Sequence, residues 1–191
     1  IGKDYVIAEA GATVDDINRR LKDRFFPIVP YSSSIATIGG MISTNAGCSR
    51  SLKYGRMKEW VIETEIIDGT GRTKKSNDVI GKEGMLGVIL KAKLKLTEKI
   101  NETSLTVFKF ESAEELAEKS IELKSNEKIL SMEFFNEISA KIAGLEEKYY
   151  LIVEYLGDDG KIIDKDEKSR ILGKRERIAS DLIINGYSIE E

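Results

Sequence analysis

Between Thr37 and Gly47 the chain reads Thr-Ile-Gly-Gly-Met-Ile-Ser-Thr-Asn-Ala-Gly, and bulky side chains almost vanish from it. Glycine has no Cβ, so Gly39, Gly40 and Gly47 let main-chain N–H groups approach a ligand closely and admit backbone angles that other residues avoid. Thr37, Ser43, Thr44 and Asn45 add short hydroxyl and amide groups suited to a phosphate or a heteroaromatic edge. Such a run constrains the fold in one of two ways. It forms a surface against which a ligand lies, or a seam at which two elements pack at short distance. The length of the run favours the ligand surface, since a seam needs little more than a Gly-Gly pair.

The flanks supply elements to carry it. Tyr5 to Ala8 reads as a strand. Thr13-Val14-Asp15-Asp16 has the form of a capping box, with Asp in place of the usual Glu or Gln, and predicts a helix start. Val14, Ile17 and Leu21 then share one helical face, and Pro27 and Pro30 enforce an extended passage from Phe25 to Pro30. Trp60 to Ile67 alternates as a strand and ends in the turn chemistry of Asp68-Gly69-Thr70-Gly71. The clearest strand is Val88 to Leu96: Val88, Leu90, Ala92, Leu94 and Leu96 face the core, and Lys91, Lys93 and Lys95 face water.

Thr97 to Asn101 carries no evident core residue and marks a boundary between domains at residues 1–99 and 100–191. Beyond it, Ser104 to Phe110 predicts a strand, and Ser112-Ala113-Glu114-Glu115 opens a helix with Leu116, Ala117, Ser120 and Ile121 on its inner side. A strand over Ile129 to Phe135, a helix from Asn136 to Leu145, a strand from Tyr149 to Leu156 and a helix within Lys165 to Ile184 complete the order βαβαβα. That order suits a small α+β sandwich of ferredoxin-like kind. Asp158-Asp159 beside Gly160 reads as a turn, the charge-dense stretch Asp164 to Arg177 reads as a solvated helix face, and no metal site is assigned.

Composition removes several classes of function. Charged residues make up 33% of the 191 residues with a net charge of −3, and the two signs are mixed, which argues against a nucleic-acid partner. No apolar stretch is long enough to span a bilayer and the start is not signal-like, so the expectation is a soluble, cytoplasmic protein, with peripheral membrane contact left open. Cys48 is the only cysteine, so no internal disulfide forms. The absence of histidine removes the commonest general base, the commonest metal ligand and any Ser-His or Cys-His couple. Chemistry must rest on other groups or on a cofactor. The chain opens at Ile1 and enters a strand almost at once, which reads as a piece of something longer.

With its flanks, the segment from Pro30 to Gly55 is PYSSSIATIGGMISTNAGCSRSLKYG. It resembles the FAD-binding domain of the p-cresol methylhydroxylase and vanillyl-alcohol oxidase superfamily, in the branch that holds the glycolate oxidase flavin subunit, D-lactate dehydrogenases and D-2-hydroxyglutarate dehydrogenase. There a proline-led loop runs into TIGG and then NAGG-x-R and YG. Here those positions are Pro30, Thr37 to Gly40, Asn45 to Gly47, Arg50 and Tyr54-Gly55. Glu83-Gly84-Met85-Leu86-Gly87-Val88-Ile89 matches the later E-G-x-L-G-V-I signature and leads into a strand, as the resemblance requires. Met132 to Asn136 is more faintly similar to the stretch before a cap helix.

The resemblance implies an α+β fold: the second subdomain of a p-cresol methylhydroxylase-type FAD-binding domain, followed by a partial ferredoxin-like cap domain. It implies that Pro30 to Gly47 lies along the pyrophosphate and isoalloxazine of FAD, with Gly84, Gly87 and Val88 near the adenylate end. The cofactor-binding candidates it names are Pro30, Ser32, Thr37, Ile38, Gly39, Gly40, Thr44, Asn45, Ala46, Gly47, Tyr54, Gly55, Glu83, Gly84, Gly87 and Val88. Backbone donors beside glycine suit a diphosphate, and Ile38, Ile42 and Val88 are apolar side chains able to flank flat rings. Taken alone, the second motif reads equally as a turn into the Val88 strand. Arg50 matches the family arginine near the flavin, a cation for a reduced flavin or a substrate carboxylate, or else half of a structural pair. Tyr54 reads as a packing ring whose hydroxyl caps a loop.

The implied activity is an FAD-dependent oxidation of a small 2-hydroxy acid such as glycolate or D-lactate, by hydride transfer to the flavin, with the catalytic residues in segments outside this sequence. An electron-acceptor subunit and a homodimer are further partners that the resemblance leaves open. The sequence also departs from the family. The subdomain whose own glycine-rich loop precedes the strand at Tyr5 and the later part of the cap are both missing from it. Without histidine no histidyl-flavin link can form within this sequence, so the expectation is FAD held non-covalently unless Cys48 is the point of attachment. Cys48 stands where the family has the second glycine of NAGG and reads as a small thiol filling space. Asp68 to Gly81 is shorter than in the relatives and lacks their helix-bearing loop. These departures support a second reading, a degenerate, non-catalytic flavin- or ligand-binding module, and a third in which Ser104 to Glu191 is a separate ligand-sensing or dimerising module.

Overall fold

Val6 and Ala8 are buried and alternate with the less buried Tyr5, Ile7 and Glu9, which makes Tyr5–Glu9 a half-buried strand, β1. The computed structural model describes residues 2–157, and the chain divides into two units between Ile100 and Asn101. In the first unit β1 leads to helix α1, Val14–Arg19, capped by Thr13, whose Oγ1 accepts the Asp16 N–H at 3.2 Å. Val14 and Ile17 are buried on its inner side, and Leu21, expected on the same helical face, is buried just past its end. A two-residue strand β2, Arg24–Phe25, precedes the proline-bounded extended passage, and short helices follow: α2, Ile38–Ser43; α3, Ser51–Tyr54; α4, Met57–Trp60. Then come β3, Val61–Ile67; β4, Thr73–Lys75; a single 3₁₀ turn at Asn77–Val79; β5, Val88–Lys95; and β6, Thr97–Glu98.

The main sheet has the order β1-β5-β3-β4, antiparallel at every pairing. β1 and β3 therefore run parallel on either side of β5, and the chain from α1 to α4 is the crossover that joins them. That crossover buries Ile38, Met41, Ile42 and Met57 with Ala92 and Leu94 of the sheet in one core. Phe26, Ile28, Ile38, Ile42, Met57 and Leu94 are fully excluded from water. Each such side chain contributes roughly 1.5–3 kcal/mol of transfer free energy.

Three sequence expectations change here. Val88 and Leu90 do not share the core face with Ala92, Leu94 and Leu96: the β3–β5 register steps from Glu65↔Lys91 to Ile66↔Ile89, which leaves Leu90 as an extra residue. Past this bulge the alternation inverts, so Ile89 is buried and Val88 is 67% exposed. Trp60 closes α4 and does not open β3. Thr97 and Glu98, expected in a boundary segment, pair with Phe25 and Arg24. Asp68 to Gly81 holds the β3–β4 hairpin turn, β4 and the 3₁₀ turn.

In the second unit, β7, Thr103–Phe110, α5, Ala113–Leu123, β8, Ile129–Phe135, α6, Glu137–Ile142, and β9, Tyr149–Leu156, form a sheet of order β7-β9-β8. Both pairings to β9 are antiparallel, so β7-α5-β8 is a split βαβ unit with β9 inserted. Leu116 and Leu123 of α5 pack with Leu151, Val153 and Tyr155, whereas Ala140 and Ala143 beside α6 pack with Tyr150 and Ile152. Successive residues of β9 face opposite ways, so the two helices cover opposite faces of the sheet. The inner stripe of α5 is Leu116, Lys119, Ser120 and Leu123, not Leu116, Ala117, Ser120 and Ile121: Ala117 is exposed and Ile121 is 64% exposed. The Lys119 ammonium sits 5.5 Å from the Phe108 ring centroid, so its aliphatic stem takes the place expected for Ile121. Helix α6 stops at Ile142, short of Leu145. Asp158-Asp159, the stretch Asp164 to Arg177 and the helix expected within Lys165 to Ile184 lie outside the described residues. Among the described residues, no helix is long and apolar enough to cross a membrane.

Candidate functional site

The loop that begins at Pro30 is tightly turned. The Ser33 N–H donates to the Pro30 carbonyl at 3.0 Å, and the N–H groups of Ile35 and Ala36 donate to the Ser32 carbonyl at 2.9 and 2.7 Å. A bridge between Thr37 and Thr13 then fixes where α2 begins. Thr37 caps that helix, its Oγ1 accepting the Gly40 N–H at 3.4 Å. The Ile38 N–H donates to the Ala12 carbonyl at 2.9 Å and the Gly39 N–H to the Ala10 carbonyl at 2.8 Å. A Cβ on Gly39 would stand 2.9 Å from the Ala10 Cβ, so this glycine serves close packing. The first-turn donors expected to face a diphosphate are thus engaged inside the protein. Both readings of the glycine run apply, one to each side of α2.

Its outer side is bare. Gly40 and Thr44 are exposed and Ser43 is half-buried. A Cβ at Gly40 would meet only Thr37 Oγ1, at 3.3 Å. Ile38 and Ile42, expected to flank flat rings, are wholly buried and support this floor from beneath.

The second glycine motif docks on the end of the same helix. The Gly81 N–H donates to the Ile42 carbonyl at 3.0 Å and the Glu83 N–H to the Ser43 carbonyl at 2.9 Å. These two bonds give partners from outside the helix to carbonyls at its end. Glu83 and Gly84 take left-handed angles, φ 49° and 85°, and Gly87 has φ 142°. A Cβ at Gly87 would lie 2.6 Å from the Ile67 carbonyl oxygen, which requires glycine there; beside Gly84 the space is open. The loop leaves Met85 80% exposed, with Leu86 and Val88 also uncovered. Clustered apolar exposure of this kind marks a binding surface.

Asn45, at φ 49°, ends the run and turns the chain back. Its Oδ1 accepts the Lys58 N–H at 3.0 Å, and the Ala46 carbonyl accepts the Met57 N–H at 3.0 Å, so residues 45 and 46 close the first turn of α4. A Cβ at Gly47 would fall 2.8 Å from Ser51 Oγ, which accepts the Cys48 N–H at 2.8 Å. Cys48 is half-buried against the core, its Sγ 3.7 Å from the Pro27 carbonyl, and fills space. The Tyr54 ring packs edge-on between Phe25 and Trp60, with centroids at 6.0 and 5.8 Å, and its carbonyl accepts the Trp60 Nε1–H at 2.6 Å. Gly55, at φ 69°, leaves room for the Glu59 carboxylate, whose Oε2 accepts the Arg56 N–H at 2.9 Å. Arg50 is half-buried at the head of α3, where its carbonyl accepts from Lys53 and Tyr54.

Gly40, Ser43 and Thr44 therefore lie along the outer side of α2, with Glu83 and Gly84 against its C-terminal end. Gly39 seats the start of α2 on Ala10, and Asn45, Gly47, Tyr54 and Gly55 shape the chain that follows it. Sequence reasoning missed Ala10 and Ala12, whose carbonyls anchor α2; the only signal was a small-residue Ala-Gly-Ala stretch after β1. It also missed the exposure of Met85 and Leu86. A small-residue floor beside an apolar edge fits one face of a flat heteroaromatic cofactor. Among the described residues no group of three or more His, Cys, Asp or Glu side chains is placed to hold a metal ion.

A family model described as FAD binding domain matches residues 2–77. The chain is similar to the D-lactate dehydrogenase of Archaeoglobus fulgidus, at 32% identity over 72% of this chain and 35% of that protein. It is similar to the D-2-hydroxyglutarate dehydrogenase of Xanthomonas citri pv. viticola, at 23% identity over 79% of this chain and 37% of that protein. With the glycolate oxidase subunit GlcD of Bacillus subtilis it shares 39% identity over 41% of this chain and 20% of that protein. The chain thus spans little more than a third, or less, of the length of these relatives. A solved structure of alkyldihydroxyacetonephosphate synthase matches with a TM-score of 0.71 at 15% identity, over 96% of this chain and 40% of that one, a likeness of fold. Residues 2–77 of the chain are thus similar to the FAD binding domain family.

Proposed function

We propose that this chain supplies one wall of the FAD site in an oxidoreductase that oxidises a small 2-hydroxy acid such as glycolate or D-lactate. The observation that carries this reading is the docking of the second glycine motif on α2, through Gly81 to Ile42 and Glu83 to Ser43. Two segments separated in sequence thereby present one open, small-residue floor. The names of the curated relatives, D-lactate dehydrogenase, D-2-hydroxyglutarate dehydrogenase and glycolate oxidase subunit, supply the substrate class.

Bound FAD supplies the hydride acceptor, held non-covalently. This chain's residues do the holding. Gly40, Ser43 and Thr44 lie under the cofactor, and Met85, Leu86 and Val88 exclude water from its apolar edge. Pro30 and Ser32 shape the approach to α2, and Arg50 is the family-matched cation for developing negative charge. An electron-acceptor partner would take the reducing equivalents onward.

The test is spectroscopic. The full-length protein is purified, saturated with FAD and mixed anaerobically with glycolate, D-lactate or D-2-hydroxyglutarate. Bleaching of the oxidised-flavin absorbance by at least one of them is the expected result. Flavin binding without bleaching by any 2-hydroxy acid overturns the substrate class, and no flavin bands after FAD addition leaves a non-catalytic module as the reading.

A further inference from the structure

We infer that Asn45 is a positioning residue for the FAD floor and does not itself contact the cofactor. The inference rests on the FAD reading above and goes beyond it. Three observations converge on this side chain. Its backbone is left-handed, φ 49°, a conformation that asparagine tolerates and most residues resist. Its Oδ1 is already engaged, accepting the Lys58 N–H at 3.0 Å, thirteen residues on in the chain. Its Cβ stands 3.2 Å from where a Cβ on Gly81 would be, so it abuts the loop that carries the second glycine motif.

Three pieces of the floor meet at this point. The C-terminal end of α2 reaches Asn45 through its N–H, which donates to the Ile42 carbonyl at 3.0 Å. The same Ile42 carbonyl accepts from Gly81, and α4 is tied in by Lys58. Asparagine is well suited to this junction, because it combines tolerance of the left-handed angle with a carbonyl acceptor on a short side chain. Without the acceptor the Lys58 N–H loses its partner, the first turn of α4 loosens, and the loop from Gly81 to Gly87 loses a fixed neighbour.

Three substitutions separate positioning from contact. Asn45→Asp keeps the acceptor but has no amide donor to offer a ligand. Asn45→Gly keeps the left-handed backbone without the acceptor, and Asn45→Ala loses both. The readouts are FAD affinity by titration, the visible circular dichroism of bound flavin, and hydrogen exchange at the Lys58 amide in the flavin-free protein. The expected result is wild-type-like affinity and slow Lys58 exchange for Asn45→Asp. Asn45→Gly is expected to bind about fivefold to tenfold more weakly with faster Lys58 exchange, the loss of one hydrogen bond, and Asn45→Ala at least as weakly. The inference is overturned if Asn45→Asp binds as poorly as Asn45→Gly, which assigns a direct amide contact. It is also overturned if Asn45→Gly matches wild type in affinity and Lys58 exchange. Failure of the unsubstituted full-length protein to bind FAD removes the flavin reading itself and is scored separately, on the wild-type titration alone.

Discussion

The Gly39 N–H donates to the Ala10 carbonyl oxygen at 2.8 Å, and a methyl group on Gly39 would stand 2.9 Å from the Ala10 Cβ. The same contact that anchors α2 to the end of β1 removes a backbone donor from any ligand and leaves no room for a side chain. One residue later the situation reverses: Gly40 is exposed and has no backbone or core neighbour within contact. Adjacent glycines thus serve opposite purposes.

Gly39→Ala is expected to destabilise the first unit. Replacing helical glycine by alanine contributes about 1 kcal/mol of propensity. Overpacking against fixed neighbours costs about 1–3 kcal/mol, and the atoms met here belong to Ala10, which cannot swing aside. Steric cost wins, with a net loss of up to about 2 kcal/mol in urea unfolding. Gly40→Ala has the same propensity gain against one tight side-chain contact, Thr37 Oγ1 at 3.3 Å, and is expected to leave stability unchanged or raise it by up to about 1 kcal/mol while weakening FAD binding. Equal stability changes at both positions would contradict the assignment.

Gly87 and Gly84 form a second contrast. Both have positive φ, but a Cβ at Gly87 would lie 2.6 Å from the Ile67 carbonyl while Gly84 has open space. Gly87→Ala should cost about 2–4 kcal/mol, strain and overlap together, and Gly84→Ala about 1–2 kcal/mol from the left-handed backbone. Denaturant midpoints at constant slope measure both.

At the β3–β4 hairpin, Asp68 Oδ1 accepts the Thr70 hydroxyl at 2.6 Å, the Thr70 N–H at 2.9 Å and the Arg72 N–H at 3.2 Å. The Thr70 hydroxyl first, then the Thr70 and Arg72 N–H groups, hold the Asp68 carboxyl well below the usual carboxylate range. A folded-state value depressed below the unfolded one contributes stability that is present above the unfolded carboxylate pKa, about 4. That contribution is lost as pH falls through the folded value. Carboxyl carbon NMR should show Asp68 still ionised where ordinary aspartates have protonated, and Thr70→Val should move its midpoint upward. An unchanged midpoint in Thr70→Val would refute the hydroxyl's leading part.

In the second unit, Ile121→Glu is expected to change stability by no more than about 0.5 kcal/mol, because its side chain faces solvent. Leu116→Ala should cost about 1–2 kcal/mol, part of the usual penalty for a buried leucine, since it packs half-buried against the cluster of Ile129, Leu151, Val153 and Tyr155. The reverse order of effects would restore the helix face expected from sequence.

Local order was legible in the sequence, and so was the ancestry of the site. Thr13, Ser112 and Asn136 cap helices where their side chains indicate, because a cap depends on atoms within three residues. The glycine run Thr37 to Gly47, which lies within the segment that matches the FAD binding domain family, was legible for the same reason, since it is a contiguous string. What the string could not express was which side of each element is inside. The β5 alternation inverts at a bulge that only the β3 partner reveals, and Ile121 yields its place on α5 to the stem of Lys119 because Phe108 lies where it does. The tertiary structure alone decided that Gly39 closes a seam while Gly40 stays bare, and that Gly81 and Glu83 bring the second motif onto the end of α2. Hydrogen bonds and steric contacts between distant segments follow from how the chain packs, and no local pattern encodes them.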